Sequence, residues 1–335
     1  MIDAKFVELC YRAILGRSPE SKSVVKDKIR GCSSPEALIK DLLNSPEFEA
    51  RRLGSPGLEA QRLHAATAPF FNGQPRPIDV RVTDDQQAAL FQRLQSQWTA
   101  LGASEPFWSV LTHDGYRTSN LDDQARGTFY ETGAPDAALV ERACSRTGVE
   151  VRRGVCLELG CGVGRITKHL AARFENVVAL DISAGNLQQA REMARQNDIN
   201  NIEFILIGSL SDIKALDRCD FFYTVITLQH NPPPVQYYIL DSILQKINFG
   251  GGFLFQTQTY NCEYQFIIAD YLKSPTDDMD MHSLPMFEIL DLLKRHGCWV
   301  KEVMEDAWTG RFGSHTFFGL AGGPESTIAD VAVAR

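Results

Sequence analysis

Apolar and polar positions repeat along this chain in two registers, and the change of register divides it. Up to about residue 52 the apolar positions recur at helical spacing: Phe6, Val7, Cys10, Tyr11, Ile14 and Leu15 share one face before Gly16-Arg-Ser-Pro19 breaks the run. Ser34-Pro35-Glu36 starts another helix, with Ser34 as cap and Pro35 in the first turn, and it buries Leu38, Leu42 and Leu43. Residues 53 to about 80 are rich in Pro, Gly and Ala and read as a linker, and 82–103 returns to a helical pattern ending at Leu101-Gly102. Further on, short apolar runs alternate with helical patterns. They predict strands near 155–160, 177–181, 202–207, 220–227, 251–258, 298–305 and 314–320, and helices near 136–147, 164–174, 184–196, 234–247 and 285–296. Such alternation predicts an α/β fold with a largely parallel sheet wrapped on both faces. The last two strands are joined by a short turn around Thr309-Gly310, so they pair antiparallel. The predicted organisation is a helical module at 1–52, linker and lid helices at 53–125, an α/β domain at 126–322 and a tail at 323–335.

Composition narrows the possibilities. The chain has 335 residues, enough for one α/β domain of about 200 residues and something extra. A net charge of −8 with no basic stripe argues against nucleic acid as the main partner, because phosphate neutralisation needs clustered cations. No run of 18 apolar residues exists and Met1-Ile-Asp-Ala-Lys-Phe6 has no signal-peptide pattern, so no membrane span and a cytoplasmic location are expected. Eight cysteines without a Cys-x-x-Cys pair indicate neither a zinc site nor a disulfide framework.

The segment carrying most chemistry is Val155-Cys-Leu-Glu-Leu-Gly-Cys-Gly-Val-Gly-Arg165, followed by Asp181 at the end of the next apolar run. A buried strand that turns through alternating glycines into a helix exposes backbone N–H groups to a small polar ligand. Gly160, Gly162 and Gly164 alternate and Arg165 stands where a dinucleotide loop has its last glycine; no Gly-Lys-Ser/Thr follows, which excludes a P-loop. Glu158 at the strand end suits an ammonium or sulfonium rather than a pyrophosphate, and Asp181 can accept two ribose hydroxyls. The combination suits S-adenosylmethionine.

At these residues, and over about Phe129–Gly322, the chain resembles the class I S-adenosylmethionine-dependent methyltransferases, whose fold is a seven-stranded Rossmann-like sheet with the last strand antiparallel. The resemblance implies that Gly160, Cys161 and Gly162 line the methionine part and Glu158 reaches its ammonium. It further implies that Asp181 holds the ribose, Ile182 lies against the adenine, and Ser209 and Leu210 flank the base, with only Asp212 near the place where the family often has an acidic residue. Arg165 and Thr227 are added to the cofactor contacts. A segment ahead of the core commonly lies over the cleft as a lid in this family, which places Phe129 and Tyr130 near the sulfonium, where an aromatic face attracts a cation.

In an open parallel sheet the acceptor faces the residues just after strands four and five, here Thr227-Leu-Gln-His230 and Thr257-Gln-Thr-Tyr260. Methyl transfer to a hydroxyl needs alignment and a base. His230 is the first choice for that base, with capping of the following helix or contact with cofactor alone as alternatives; His282, in the insertion after strand five, is the second, with a surface or capping role as its alternative. Gln229, Tyr260 and Tyr264 are the candidate acceptor contacts, the tyrosines suiting a sugar face. Asn231-Pro-Pro-Pro234 resembles the Asn-Pro-Pro-aromatic motif of base methyltransferases, but Pro234 cannot stack on a flipped base. No set of Asp and Asn ligands for a metal is identifiable, so no metal is expected.

Phe129-Tyr-x-x-Gly133, the glycine loop, Leu-Gln-His-x-Pro-Pro233 and Met-His-x-Leu-Pro285 are similar to methyltransferases of bacterial surface-glycan pathways, which implies O-methylation of a sugar hydroxyl on a nucleotide sugar or glycan. A small-molecule O- or N-methyltransferase of secondary metabolism and a non-catalytic cofactor-binding subunit are the alternatives. Tyr-Arg-x-Ile-Leu-Gly-Arg-x-Pro and Asn-Ser-Pro-Glu-Phe48 resemble a phycobilisome-linker-like helical module, whose implied use is docking to a partner or a second copy, the alternative being a helical cap.

Overall fold

The structure, a computed structural model, describes residues 2–11, 18–43, 45, 76–259, 264–275, 279–306, 308–309 and 313–322. Ile14, Leu15, Tyr260 and the 323–335 tail named above lie outside these, as does most of the linker. The chain divides into two compact units, residues 1–74 and 75–335.

The first unit contains α1 (Ala4–Cys10), α2 (Lys22–Gly31) and α3 (Pro35–Leu43). Asp3 caps α1 by accepting the Phe6 N–H at 2.8 Å, and Ser34 caps α3 through the Ala37 N–H at 3.2 Å. Val7, Cys10, Tyr11, Val25, Leu38 and Leu42 form its apolar core. The helix that the periodicity does not announce is α2, whose polar sequence offers chiefly Val24, Val25 and Ile29 to that core.

The second unit begins with α4 (Asp84–Ser104), closed at its start by a reciprocal Thr83–Gln86 capping box, then α5 (Pro106–Val110), α6 (Asp123–Glu131), α7 (Ala134–Ala137) and α8 (Leu139–Thr147). The core follows as β1 (Val155–Leu159), α9 (Thr167–Leu170), β2 (Asn176–Asp181), α10 (Ala184–Gln196), β3 (Ile202–Leu206), α11 (Leu210–Ala215) and β4 (Cys219–Thr224). It continues through α12 (Pro233–Leu244), β5 (Ile247–Gln258), α13 (Ile268–Tyr271), α14 (Met286–Arg295), β6 (Cys298–Glu305) and β7 (Ser314–Ala321). Strand order is β3-β2-β1-β4-β5-β7-β6, and β7 runs antiparallel to both β5 and β6. This is the seven-stranded arrangement predicted from the alternation of runs.

Alternate residues of each strand feed two apolar layers. Leu157, Phe222, Phe253, Phe255 and Phe317 face α12 and α14, with Phe255 and Phe317 stacked at 4.9 Å between ring centroids. Cys156, Phe221, Tyr223, Leu254 and Phe318 face the opposite way, toward α7, α8 and Leu170 of α9.

Several predicted elements change extent: β5 starts at Ile247 rather than near 251, and α12 ends at Leu244 rather than near 247. The helix expected over 136–147 breaks at Ala138 into α7 and α8, and that expected over 164–174 shrinks to 167–170, because Gly164 at φ 87° cannot begin a right-handed helix. The fourth strand, expected to reach residue 227, stops at Thr224 because Ile226 turns to φ 58°. Among the described residues no helix is long and apolar enough to cross a membrane.

Candidate active site

At the end of β1 the chain turns through the glycine loop, which is stitched to the end of β2. The N–H groups of Gly160 and Cys161 both donate to the Leu180 carbonyl, at 2.8 and 2.9 Å, and the Gly162 N–H donates to Asp181 Oδ2 at 2.8 Å. Gly160 (φ 74°) and Gly162 (φ 55°) occupy the left-handed region. Space forbids a side chain there as well: a Cβ on Gly160 would lie 2.3 Å from Thr227 Cγ2, and one on Gly162 2.6 Å from Val110 Cγ2.

Two buried carboxylates stand beside this loop. Asp181 Oδ1 accepts the Ser183 N–H at 2.8 Å, so each oxygen already holds one backbone N–H and keeps a lone pair for a further donor. Burial pushes its carboxyl up to about 6, against the pull of the Ser183 and Gly162 N–H groups. Glu158 is 2% exposed, and among the described residues nothing hydrogen-bonds its Oε2. Burial pushes Glu158 up to about 7; the neighbouring Thr167 hydroxyl opposes the rise most, and the guanidinium of Arg165 next. A buried carboxyl with one oxygen unpartnered is costly until a donor reaches it, so it can receive a cationic or hydrogen-bond-donating group. Asn186 Oδ1 is a second buried acceptor without a partner among the described residues.

These groups line a cavity of about 140 Å³. Glu158, Gly160, Cys161, Gly162 and Arg165 form its floor, and Asp181 and Ile182 one flank. Val225, Ile226, Thr227 and His230, which follow β4, form the other flank. Phe91 and Trp98 of α4 and Ser109 and Val110 of α5 line it as well. The side chain of Arg165 also reaches away from the cavity, pairing with Asp136 at 2.5 Å and donating to the Thr132 carbonyl at 3.0 Å.

The flank that follows β4 carries a neutral imidazole. His230 Nδ1 lies 3.1 Å from the Asp280 carbonyl, and its ring meets Trp98 edge-on at 5.4 Å between centroids. Since a carbonyl only accepts, Nδ1 carries the proton and Nε2 is the free acceptor. Burial depresses the His230 pKa, the Asp280 carbonyl opposing, so the ring is neutral near pH 7.

Several expected residues are placed elsewhere. Tyr130 does not face the cavity: its hydroxyl donates to the Val163 carbonyl at 3.3 Å, and its ring packs with Phe107 and Phe129 beneath the loop. Ser209 and Leu210 do not line it either. The Asp212 carboxylate accepts the Ser209 N–H and hydroxyl, turning that serine into a helix start, while Leu210 is buried; Ile207 and Ile213 are the residues of this stretch on the cavity wall. Gln229 is buried behind the cavity and accepts from Gln256 at 2.9 Å. His282 is 4% exposed, with Nδ1 on the Tyr264 hydroxyl at 2.8 Å and Phe266 and Tyr271 edge-on to its ring. Burial drives its pKa down to about 3, which is too weak a base for this chemistry, and Tyr264 is spent on positioning it. Phe91, Trp98, Val110 and Asn186 are among the cavity residues that sequence reasoning passes over. Phe91 and Trp98 lie seven apart on one helical stripe, a spacing that ordinarily marks core. Among the described residues no three His, Cys, Asp or Glu side chains gather as a metal cluster would.

Comparison with known proteins centres on the same segment. A family described as methyltransferase domain matches residues 156–251. A tRNA/tmRNA (uracil-C(5))-methyltransferase of a Nitratiruptor species is 36% identical over 91 residues, 24% of this chain and 25% of the relative. The (S)-coclaurine N-methyltransferase of Thalictrum flavum subsp. glaucum is 28% identical over 97 residues, 28% of this chain and 26% of the relative. The chain thus spans about a quarter of the length of these curated relatives. Among solved structures, magnesium protoporphyrin IX methyltransferase from Synechocystis PCC 6803 with bound SAH aligns over 69% of this chain and all (100%) of that one, at TM-score 0.49 and 15% identity. Residues 156–251, which match the methyltransferase domain family, lie within the seven-stranded sheet that carries the antiparallel β7.

Proposed function

We propose that the protein is an S-adenosylmethionine-dependent methyltransferase whose acceptor is a sugar hydroxyl, on a nucleotide sugar or a glycan. The observation that carries the donor half is the Glu158 carboxylate: buried, without a partner at Oε2 among the described residues, and opposite a glycine loop tied to Asp181. When bound, S-adenosylmethionine supplies a methyl group on a sulfonium. Glu158 and the loop hold its amino-acid end, Asp181 its ribose hydroxyls, and Ile182, Ile207 and Ile213 its base, while Phe91, Trp98 and Val110 exclude water. His230 Nε2 takes the proton of the attacking hydroxyl, and the Asp280 carbonyl keeps Nδ1 protonated so that this nitrogen remains the base. The neutral acceptor side, with glutamine, serine and threonine groups near His230, suits a sugar face better than the phosphate-rich backbone of a nucleic acid, as does the net charge of −8. A small-molecule acceptor is the second reading, favoured by the match to the coclaurine N-methyltransferase. The N-terminal three-helix unit, with an apolar core of its own, serves as a docking element for a partner or a second copy.

Calorimetric titration with S-adenosylmethionine, followed by labelled-methyl transfer to nucleotide sugars, surface oligosaccharides, small amines and phenols, and tRNA, tests both halves. Heat of binding with label on a sugar oxygen is expected. Absence of heat would overturn the donor assignment; label on RNA or on an amine alone would overturn the acceptor.

A further inference from the structure

Gln256, on β5, does more than fill the core. We infer that its side-chain amide is the positioning element of the cleft: it clamps Ile226 in left-handed backbone and so seats Thr227 on the donor loop. The inference rests on the reading of the cleft as the donor site.

Ile226, Asp198 and Met279 are the non-glycine residues with positive φ among those described, and Ile226 alone of the three is β-branched. A β-branched side chain at φ 58° is a backbone that must be imposed from outside. The Ile226 N–H donates to Gln256 Oε1 at 2.8 Å. Both protons of Gln256 Nε2 are engaged, on Gln229 Oε1 at 2.9 Å and on Ser314 Oγ at 2.7 Å. Ser314 in turn donates to Asp306 Oδ1 at 2.5 Å, and Thr316 holds the other oxygen at 2.8 Å. The amide therefore has one orientation: its oxygen can face only the Ile226 N–H, and its nitrogen only the two oxygens.

The constrained turn has a destination. One residue on, Thr227 occupies the space where a Cβ of Gly160 would lie, and the Thr227 carbonyl accepts the His230 N–H at 3.1 Å and Asn231 Nδ2 at 2.8 Å. Val225, Ile226, Thr227 and His230 all line the cavity. A single chain of hydrogen bonds thus runs from the β6–β7 end of the sheet to the wall that the donor and the base share.

The test is a double-mutant cycle of the full chain: wild type, Ile226→Gly, Gln256→Met and the pair, titrated with S-adenosylhomocysteine and unfolded thermally. Glycine needs no clamp at this φ. Gln256→Met is expected to weaken binding about tenfold or more relative to wild type, but to change it by no more than about threefold when it is made in the Ile226→Gly chain, whose own affinity is the reference, with non-additive shifts in Tm. Equal losses from Gln256→Met in both backgrounds, in affinity and in Tm, would make Gln256 an ordinary core amide and overturn the proposal. If Gln256→Met does not fold, Ser314→Ala replaces it, with a two- to threefold loss expected only when residue 226 is Ile, on the order of the release of one amide proton; equal loss in both backgrounds again overturns it. A wild-type chain that gives no heat removes the donor reading instead, and the Tm cycle still decides the clamp.

Discussion

The two halves of the cleft are made of different material. At the ends of β1 and β2 the groups are backbone N–H donors and two buried carboxylates, Glu158 and Asp181. At the ends of β4, β5 and β7 they are neutral side chains: Gln229, Gln256, Thr257, Ser314 and the imidazoles of His230 and His282. The first half leaves the buried Glu158 Oε2 without a partner among the described residues, and its carboxyls make it sensitive to pH. The second pairs most of its polar atoms with one another, the buried His282 Nε2 being an exception among the described residues.

The contrast breaks most sharply at Asp181. Replacing it with alanine frees the Gly162 and Ser183 N–H groups and should weaken donor binding about 100-fold or more, roughly 2.7 kcal/mol, in a calorimetric titration. His230→Ala should do the opposite, lowering the rate of transfer by about 10²–10⁴ while donor affinity stays within about threefold; lost affinity with unchanged turnover would make it a donor contact.

Protonation sharpens the same division. Glu158 and Asp181 sit near 7 and 6 in the folded, ligand-free protein, raised from 4.5 and 3.8 by burial. A cationic ligand needs them ionised, so donor affinity should rise roughly 10- to 100-fold between pH 5 and 8, on the order of the one to two pKa units involved, and Glu158→Gln should be weaker and flatter across that range. The folded chain binds more protons than the unfolded one between these ordinary and raised values, so the Tm of the ligand-free protein should fall over that window as pH rises. Tyr264→Phe should be the mildest change. Loss of the hydroxyl on His282 Nδ1 should cost about 1 kcal/mol of stability, read from thermal unfolding, with donor affinity unchanged.

The halves also differ in how far the sequence announces them. The donor half is local: the loop, its preceding Glu158 and the strand-end Asp181 fall within 24 consecutive residues, and loop glycines at positive φ leave a spacing that reads directly. The strands are equally accessible, because each is a compact apolar run, and the short connection near Thr309 makes the last two pair antiparallel. The acceptor half is assembled from distant positions, as in Gln256 with Gln229 and Ser314, or Tyr264 with His282, where only folding reveals which polar groups pair. Ile226 illustrates the limit. Its local sequence continues a strand, and the turn that ends β4 is imposed by an amide thirty residues away. Aromatic position misleads for the same reason: Phe129 and Tyr130 precede the core, yet they pack beneath the loop, while Phe91 and Trp98 reach the cavity from farther upstream.

The most direct measurement is a crystal structure with S-adenosylhomocysteine. The account predicts the ligand's amino group on Glu158 Oε2 and its ribose hydroxyls on Asp181, beneath Trp98 and Val110. A ligand ordered elsewhere, or one that leaves Glu158 Oε2 without a partner, would contradict it.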